Sequence, residues 1–247
     1  MQIATQERRE NRLLSALSPP VLQLLQRELT VVEPALGTVL LEPGEPIDSV
    51  YFPRGGMVSL LVVTRDGEMI ETSIVGREGA VGIQRGWGPR RSFTRATVQA
   101  AGEFSTIKAS RFQDIATQNF EIQKMIAGYT ELLWNEAQQV AACNAVHDGT
   151  ARLARWLLQS TDRIGRDEIG LTQEFLAEML GVRRTTVTLL AQTLQLKGYI
   201  RYRRGKIAIT DRAGLENSAC DCYRVLQKNA LPDLIGVSFK RDGGKPL

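Results

Sequence analysis

Residues 171–206 constrain the fold of this 247-residue chain more than any other segment. The hydroxyl of Thr172 can cap a first helix, and Gly181 can adopt the left-handed conformation that ends it. In the stretch that follows, apolar residues recur at i, i+3, i+4 and i+7, which predicts a second helix with one buried stripe: Val187, Leu190, Ala191 and Leu194. The segment 199–210 then alternates like a β-hairpin with Gly205 at its turn. This order of elements predicts a winged helix-turn-helix.

The distribution of charge indicates what this segment binds. Residues 149–247 contain 17 Lys and Arg against 10 Asp and Glu, whereas residues 1–148 contain 14 against 17. A net-negative body joined to a basic domain is expected when only one part of a protein meets a phosphate backbone. An amphipathic helix pair in an ordinary α-domain would not account for this asymmetry. We therefore predict that the C-terminal part binds double-stranded DNA.

The predicted DNA contacts lie on both helices and on the hairpin. A recognition helix carries its base-reading side chains near its N-terminal end. Arg184 could hold O6 and N7 of a guanine, while Arg183 at the helix start would meet phosphate. The full predicted set is Thr172, Gln173, Arg183, Arg184, Thr185, Thr186, Thr188, Leu189, Arg203, Arg204 and Lys206.

Composition and length indicate a globular protein of two ordinary domains. The chain is 43% hydrophobic and 23% charged, which is usual for soluble proteins. No apolar run approaches the roughly 20 residues of a membrane-spanning helix. The polar N-terminus lacks the apolar stretch of a signal peptide. Three cysteines are too few for a disulfide framework, which favours a reducing compartment. We expect a cytoplasmic protein with no membrane partner.

The remainder of the chain changes character twice. After a short helical entry broken at Pro19-Pro20, residues 36–110 alternate apolar runs with Gly, Pro and Asp, which predicts an antiparallel β-sandwich or barrel. From about residue 111 the period becomes helical for more than three heptads. The predicted domains are 1–110, 111–147 and 148–247, with a hinge at 146–149.

The long helix between the two globular parts is interpreted as a dimer seam. The alternative is a helix that packs only within its own subunit. The residues predicted to line the seam are Ile122, Met125, Tyr129, Leu132, Leu133 and Val140.

In this order, the β-region, the long helix and the helix-turn-helix resemble the Crp/Fnr family of bacterial transcription regulators. The resemblance rests on residues 11–61, on HDGTARLARWLL (147–158) and on LTQEFLAEMLGVRRTTVTLLAQTL (171–194). It implies an α+β fold: an N-terminal antiparallel β-roll of cyclic-nucleotide-binding type, a long central dimerisation helix and a C-terminal winged helix-turn-helix. It further implies a homodimer on a palindromic operator, with RNA polymerase as a partner.

Departures from the family pattern bear on the signal. Members that bind cyclic nucleotide carry Gly-Glu-Leu and then Arg-Ser-Ala; here Ile83 replaces the Glu that holds the ribose, and the arginines near Ser92 are out of register. An isoleucine cannot accept a hydrogen bond, which argues against cyclic AMP. Two alternatives stay open: a pocket filled by side chains, or another, anionic effector held near Gly82, Ile83, Arg90, Arg91, Ser92 and Gln138.

The recognition helix departs from the pattern as well. In the best-known branches it presents a Glu and, four residues later, an Arg; the matching positions here are Thr185 and Leu189. A threonine and a leucine cannot read the same base edges. We therefore predict a half-site that differs from those of these branches.

No cofactor is expected. Residues 1–35 contain none of the cysteines through which oxygen-sensing members hold an iron–sulfur cluster, and a cluster needs four thiolates. Haem would depend on His147, the single histidine, which we interpret as a cap or surface residue. Cys220 and Cys222 could oxidise or bind metal, giving an alternative function as a ligand- or redox-responsive module. The pair shows no partners for a zinc site, so we predict one buried and one surface cysteine and no metal. One histidine supports no catalytic constellation, so an enzyme is not expected.

Overall fold

The computed structural model describes residues 10–83 and 91–228. Two short helices open the chain, α1 (Arg12–Ser15) and α2 (Pro19–Gln26), and the break between them lies at the predicted Pro19-Pro20 pair. Proline starts α2 because the first helical residue needs no amide partner. Asn11 caps α1 and also donates from its amide to the carbonyl oxygens of Pro53, at 2.9 Å, and Gly79, at 2.8 Å. The entry is thereby anchored to the strands.

Seven strands follow and form two antiparallel sheets, as their short apolar runs predict. One sheet has the order β1-β7-β3 and the other the order β2-β6-β4-β5. Phe52, Val98 and Phe104 are fully buried in the core of this roll. The strands are β1 (Thr30–Val32), β2 (Val39–Leu41), β3 (Ser49–Pro53), β4 (Met57–Val63), β5 (Met69–Val75), β6 (Arg95–Ala100) and β7 (Phe104–Lys108).

The helical stretch after the roll consists of two helices, α3 (Ala109–Thr117) and α4 (Phe120–Val146). Asn119 interrupts the predicted continuous helix because its side chain accepts hydrogen bonds from the amides of Glu121, at 3.0 Å, and Ile122, at 3.2 Å, and so begins α4. With 27 residues, α4 is the long central helix that the heptad pattern predicts.

The residues predicted to line a dimer seam on α4 lie inside the protomer instead. Ile122, Met125, Tyr129, Leu133 and Val140 are each less than a tenth exposed, and Leu132 packs partly buried against the same core. The five buried side chains face the protomer's own interior, so their assignment to an intersubunit seam is wrong. The assignment of Leu132, which keeps part of its surface exposed, stays a prediction. The face of α4 that is open to solvent carries a different apolar stripe: Phe120, Ala127, Trp134 and Ala141.

The C-terminal part has the predicted winged helix-turn-helix elements. Asp148 caps α5 by accepting from the amides of Thr150, at 2.9 Å, and Ala151, at 3.1 Å. Strands β8, β10 and β9 form a small antiparallel sheet in that order. The elements are α5 (Gly149–Ile164), β8 (Glu168–Gly170), α6 (Gln173–Leu180), α7 (Arg184–Leu196), β9 (Ile200–Arg203), β10 (Lys206–Ile209), α8 (Arg212–Ser218) and α9 (Cys222–Lys228).

Helices α5 and α6 pack directly against the β4-β5 hairpin of the roll. Met57, Leu61 and Ile74 from the hairpin side share one apolar cluster with Trp156 of α5 and Leu180 of α6. The predicted α+β architecture is thereby observed, with the helix-turn-helix docked on the roll. Among the described helices, none combines the length and hydropathy that a membrane span requires.

Candidate DNA-binding interface

Local sequence signals build the helix-turn-helix. The hydroxyl of Thr172 accepts a hydrogen bond from the amide of Phe175 at 3.1 Å and begins α6. Gly181 ends α6 in the left-handed conformation, at φ +60°, where the absence of a Cβ avoids strain. Val187, Ala191 and Leu194 are then buried beneath α7. The opposite face of α7 is open to solvent and is available to bind DNA.

The solvent-facing side of α7 carries most of the predicted base-reading residues. Arg183, Arg184 and Thr185 are exposed, while Thr186 and Thr188 are half-buried. Leu189 is 64% exposed, which places an apolar side chain where it could contact a thymine methyl group. Gln192 lies on the same face and is also exposed. It was missed in the sequence, although its spacing from Thr188 and Leu189 is that of helical neighbours.

Helix α6 positions the arginine of the recognition helix. Arg184 Nη1 lies 2.5 Å from Glu174 Oε1, and Arg184 Nε donates to Gln173 Oε1 at 3.4 Å. Both charged side chains of the pair are more than half exposed, so the pair contributes little stability and can exchange for a DNA contact. Gln173, predicted as a DNA contact, here orients Arg184.

The wing presents its arginine at the tip of a tight turn. Arg203 pairs with Lys206 across the β9-β10 hairpin, which leaves Arg204 and Gly205 as a two-residue turn. Their φ values are +50° and +71°, as in a type I′ turn. Arg203, Arg204 and Lys206 are exposed, and Lys206 Nζ lies 3.1 Å from Glu168 Oε1. A basic cluster therefore flanks the recognition helix.

Replacing Arg204 with asparagine should stabilise the fold and weaken DNA binding. A non-glycine residue in the left-handed region costs about 1–2 kcal/mol, and asparagine tolerates it better than arginine. We expect the free energy of unfolding to rise by about 0.5–1 kcal/mol. The slope of the logarithm of DNA affinity against the logarithm of salt concentration should become shallower by about 1, which corresponds to the loss of one phosphate contact. Urea unfolding and binding at several salt concentrations measure the two effects.

Arg203→Gln is the matched control because it removes the same charge from ordinary strand backbone. It should lower the salt dependence without any gain in stability. A loss of stability in Arg204→Asn would show that the arginine makes contacts that outweigh its backbone strain.

Comparison with known proteins agrees with this geometry. Residues 151–218 match the family model of a Crp-like helix-turn-helix domain. A CRP-like cAMP-activated global transcriptional regulator of Mycobacterium tuberculosis is 23% identical over 214 residues, which cover 84% of this chain and 96% of that protein. The fold is similar to that of a CRP/FNR family transcriptional regulator from Thermus thermophilus, with a TM-score of 0.64 and 27% identity over 77% of this chain and 98% of that one. The chain is a Crp/Fnr-type transcription regulator with a Crp-like helix-turn-helix domain.

A second solved structure shares the fold of this Crp/Fnr regulator. FixK2 from Bradyrhizobium japonicum is 17% identical to this chain, with a TM-score of 0.66. The match covers 78% of this chain and 98% of FixK2. Members of the family are transcription regulators that bind DNA through the helix-turn-helix, and they are not enzymes. The Crp/Fnr recognition drawn from the sequence is confirmed.

The predicted effector residues of this Crp/Fnr protein are only partly brought together. Ile83 is 2% exposed and belongs to the roll's core. Gly82, at φ +83°, passes so close to Ser49 that a Cβ would lie 2.9 Å from its carbonyl oxygen. Gln138 lies on the open face of α4.

The second half of the predicted effector site lies beside the loop at Gly44. Arg91 is exposed and donates to the carbonyl oxygen of Gly44 at 2.7 Å, whereas Ser92 is buried and donates to Thr94 at 2.6 Å. Arg90 lies outside the described residues. A cavity of about 210 Å³ opens elsewhere, between α1, α2 and Arg54, and none of the predicted effector residues lines it.

The cysteines depart furthest from expectation. Cys220 and Cys222 are both buried, so the prediction of one surface cysteine is wrong. Cys143 and His147 lie against them, so the interpretation that the pair has no further ligand residues is also wrong. The local hint in the sequence was the i, i+4 spacing of Cys143 and His147, which puts both on one face of α4.

Proposed function

We propose that this regulator binds a palindromic operator as a homodimer, with one copy of α7 in the major groove of each half-site. The observation that carries the homodimer is the apolar stripe on the open face of α4. Phe120 is 80% exposed and Trp134 is 66% exposed, and alanines at 127 and 141 continue the seven-residue spacing.

The stripe fits a second copy of the same helix. From residue 120 to residue 141 it extends about 31 Å along α4, which is long enough for a coiled-coil contact. Large exposed apolar side chains in a row mark an interaction surface. Small alanines between large aromatic residues allow two α4 helices to approach closely. A two-fold axis that relates two α4 helices would also relate the two copies of α7, so that each could bind one half-site of a palindrome.

The signal proposed for this regulator is not cyclic AMP. The side chain of Ile83 packs in the roll's core and offers no acceptor to a ribose. Either another small molecule, anionic and bound near Arg91 and Ser92, controls the protein, or its abundance does. Redox control through Cys220 and Cys222 is the second candidate, favoured by the 3.5 Å distance between Cys220 Sγ and Cys143 Sγ. We further propose a cytoplasmic location, RNA polymerase as partner, and a division into 1–110, 111–147 and 148–247.

The proposed function is tested on the promoter upstream of the protein's own gene. In a gel-shift at physiological salt with competitor DNA, we expect a specific complex that contains two chains per operator. Light scattering of the free protein should give twice the chain mass. A monomer that binds a single half-site as tightly as the whole palindrome would contradict the proposal.

Arg184→Ala should relax base preference at one position of the half-site. Loss of a bidentate guanine contact lowers discrimination against the wrong base by about 1–3 kcal/mol. Binding to operators with single base-pair changes measures this. Glu174→Ala is the control because it removes only the ion-pair partner of Arg184, and base preference should persist. Equal affinity loss for every sequence would instead assign Arg184 to phosphate.

A further inference from the structure

All three cysteines and the single histidine of the chain meet at one place. Cys143 and His147 lie one turn apart at the end of α4, while Cys220 precedes α9 and Cys222 begins it. Their candidate ligand atoms, three Sγ and one imidazole nitrogen, all lie within 4.8 Å of one another. Cys143 Sγ is 3.5 Å from Cys220 Sγ, and Cys222 Sγ is 3.5 Å from His147 Nδ1.

We propose that these four residues form a zinc site of the Cys₃His type. Tetrahedral zinc, with Zn–S of about 2.3 Å and Zn–N of about 2.0 Å, separates its ligand atoms by about 3.5–3.8 Å. The S–S separation of Cys143 and Cys220 and the S–N separation of Cys222 and His147, both 3.5 Å, lie within this range. Thiolate and imidazole ligands select zinc over magnesium or calcium. Four protein ligands leave no open position, so the site is structural.

The surroundings of the four residues match those of a metal centre. His147 turns Nδ1 towards Cys222, and its other nitrogen, Nε2, lies 3.4 Å from Asp221 Oδ1. Metal-bound histidines commonly donate this second N–H to a carboxylate, which fixes the orientation of the ring. Gln139 Nε2 donates to Cys222 Sγ at 3.0 Å, a contact that stabilises a thiolate.

The charges of the neighbouring side chains also support the zinc site. Three thiolates and one Zn²⁺ carry a net charge of −1, so a nearby cation is needed. Arg152 and Arg155 are buried and interact electrostatically with Cys143. Arg152 donates to the carbonyl oxygen of Leu180 and Arg155 to Gln159 Oε1, but within residues 10–83 and 91–228 the Nε of each has no hydrogen-bond partner. Glu71 also interacts electrostatically with Arg155, which leaves Arg152, within the described part of the chain, without a carboxylate in its surroundings. A negative metal cluster supplies the counter-charge that three neutral thiols would not.

The position of the site suggests its role. Cys143 and Cys220 are 77 residues apart in sequence, and α9 packs against both α4 and α5. The metal would therefore tie the last described helix of the DNA-binding part to the end of the long helix. If α4 carries the dimer contact, as proposed above, this tie fixes α7 relative to the two-fold axis.

The first test measures metal in the full chain, purified under reducing, anaerobic conditions without a polyhistidine tag. We expect one zinc per chain by elemental mass spectrometry. After chelation, added Co²⁺ should give the visible bands of tetrahedral, thiolate-bound cobalt. Three thiols should become reactive on chelation and protected again on adding zinc. Binding should also release protons as the thiols become thiolates.

Variants then identify the ligands without requiring the loss of a buried cysteine. His147 is partly exposed, so His147→Gln should fold, bind zinc at least about tenfold more weakly and alter the cobalt spectrum. Asp221→Asn should weaken zinc binding by about tenfold. Asp148→Asn is the matched control next to His147, because its side chain caps α5 and touches no ligand. It should bind zinc as the wild type does.

Reduced protein that contains no zinc and gives no thiolate bands with cobalt overturns the site. So does a Cys143–Cys220 disulfide as the main species in anaerobic cells. Chelation should weaken operator binding reversibly. If the protein holds zinc but binds no operator, the metal site is supported and the proposed function is contradicted. If the metal-free protein binds its operator as tightly as the zinc-bound protein does, the proposed function is supported and the metal site is contradicted.

Discussion

Trp134→Glu is expected to make the protein monomeric and to lower its affinity for a two-half-site operator by about 10²–10⁴-fold. Trp134 lies in the middle of the exposed stripe on α4, where burial against a second copy would make it a dominant contact. A glutamate there would place two like charges near the two-fold axis. The two recognition helices would then bind independently, and the advantage of linking them would be lost.

Sedimentation equilibrium gives the mass, and fluorescence anisotropy compares operators with one and two half-sites. In the variant, the second half-site should add no affinity. Leu36→Glu is the matched control, since Leu36 is 60% exposed in a loop of the roll. It should remain dimeric. A Trp134→Glu protein that is still dimeric at micromolar concentration would place the subunit contact on another surface.

The contrast between α4 and the helix-turn-helix shows what a sequence can specify. The cap at Thr172, the glycine at 181 and the apolar period of α7 are local signals, and the structure confirms all three. Helix α4 carries two apolar stripes, one with Met125 and one with Trp134. The apolar period of α4 predicts that the segment is a helix. Which of the two stripes is buried in the protomer depends on the side of α4 against which the roll packs. That choice is made by long-range packing.

Long-range packing also explains the two buried polar features that were missed. Cys143 and Cys220 come together only because α9 folds back onto α4. Glu71 alternates with Ile70 and Thr72 along β5, a pattern that assigns its side chain to solvent. The DNA-binding part covers this face of the roll, and Glu71 is buried beneath it. Strand periodicity identifies the two faces but cannot show that a second domain covers one.

Glu71→Gln is expected to stabilise the protein above neutral pH. The carboxyl accepts hydrogen bonds from Ser59 Oγ, at 2.5 Å, and from Trp156 Nε1, at 2.6 Å, where the roll meets α5. Burial nevertheless raises the pKa of Glu71 to about 7, because removal from water outweighs these two bonds and the attraction of nearby Arg155. Glutamine keeps an acceptor for Trp156, and the Ser59 hydroxyl can turn to accept from the amide.

The direction of the pH dependence follows from the raised pKa. Between about pH 4.5 and pH 7 the folded protein retains a proton on Glu71 that the unfolded chain releases. Stability therefore falls as the pH rises through this window, and the loss reaches about 3 kcal/mol above pH 7. Glutamine carries no such penalty. The variant should gain up to about 3 kcal/mol of unfolding free energy at pH 8 and change little near pH 4.5.

Urea unfolding of both proteins at pH 5 and pH 8 measures the difference, with other titrating groups cancelling between wild type and variant. Glu68→Gln, exposed at the turn of the same hairpin, is the control and should change stability by less than about 0.5 kcal/mol at either pH. Trp156 fluorescence should titrate near pH 7 in the wild type and not in Glu71→Gln, because the indole donates to this carboxyl. Equal destabilisation of Glu71→Gln at both pH values would mean that the carboxyl is ionised in the fold and that the contact between β5 and α5 depends on its charge.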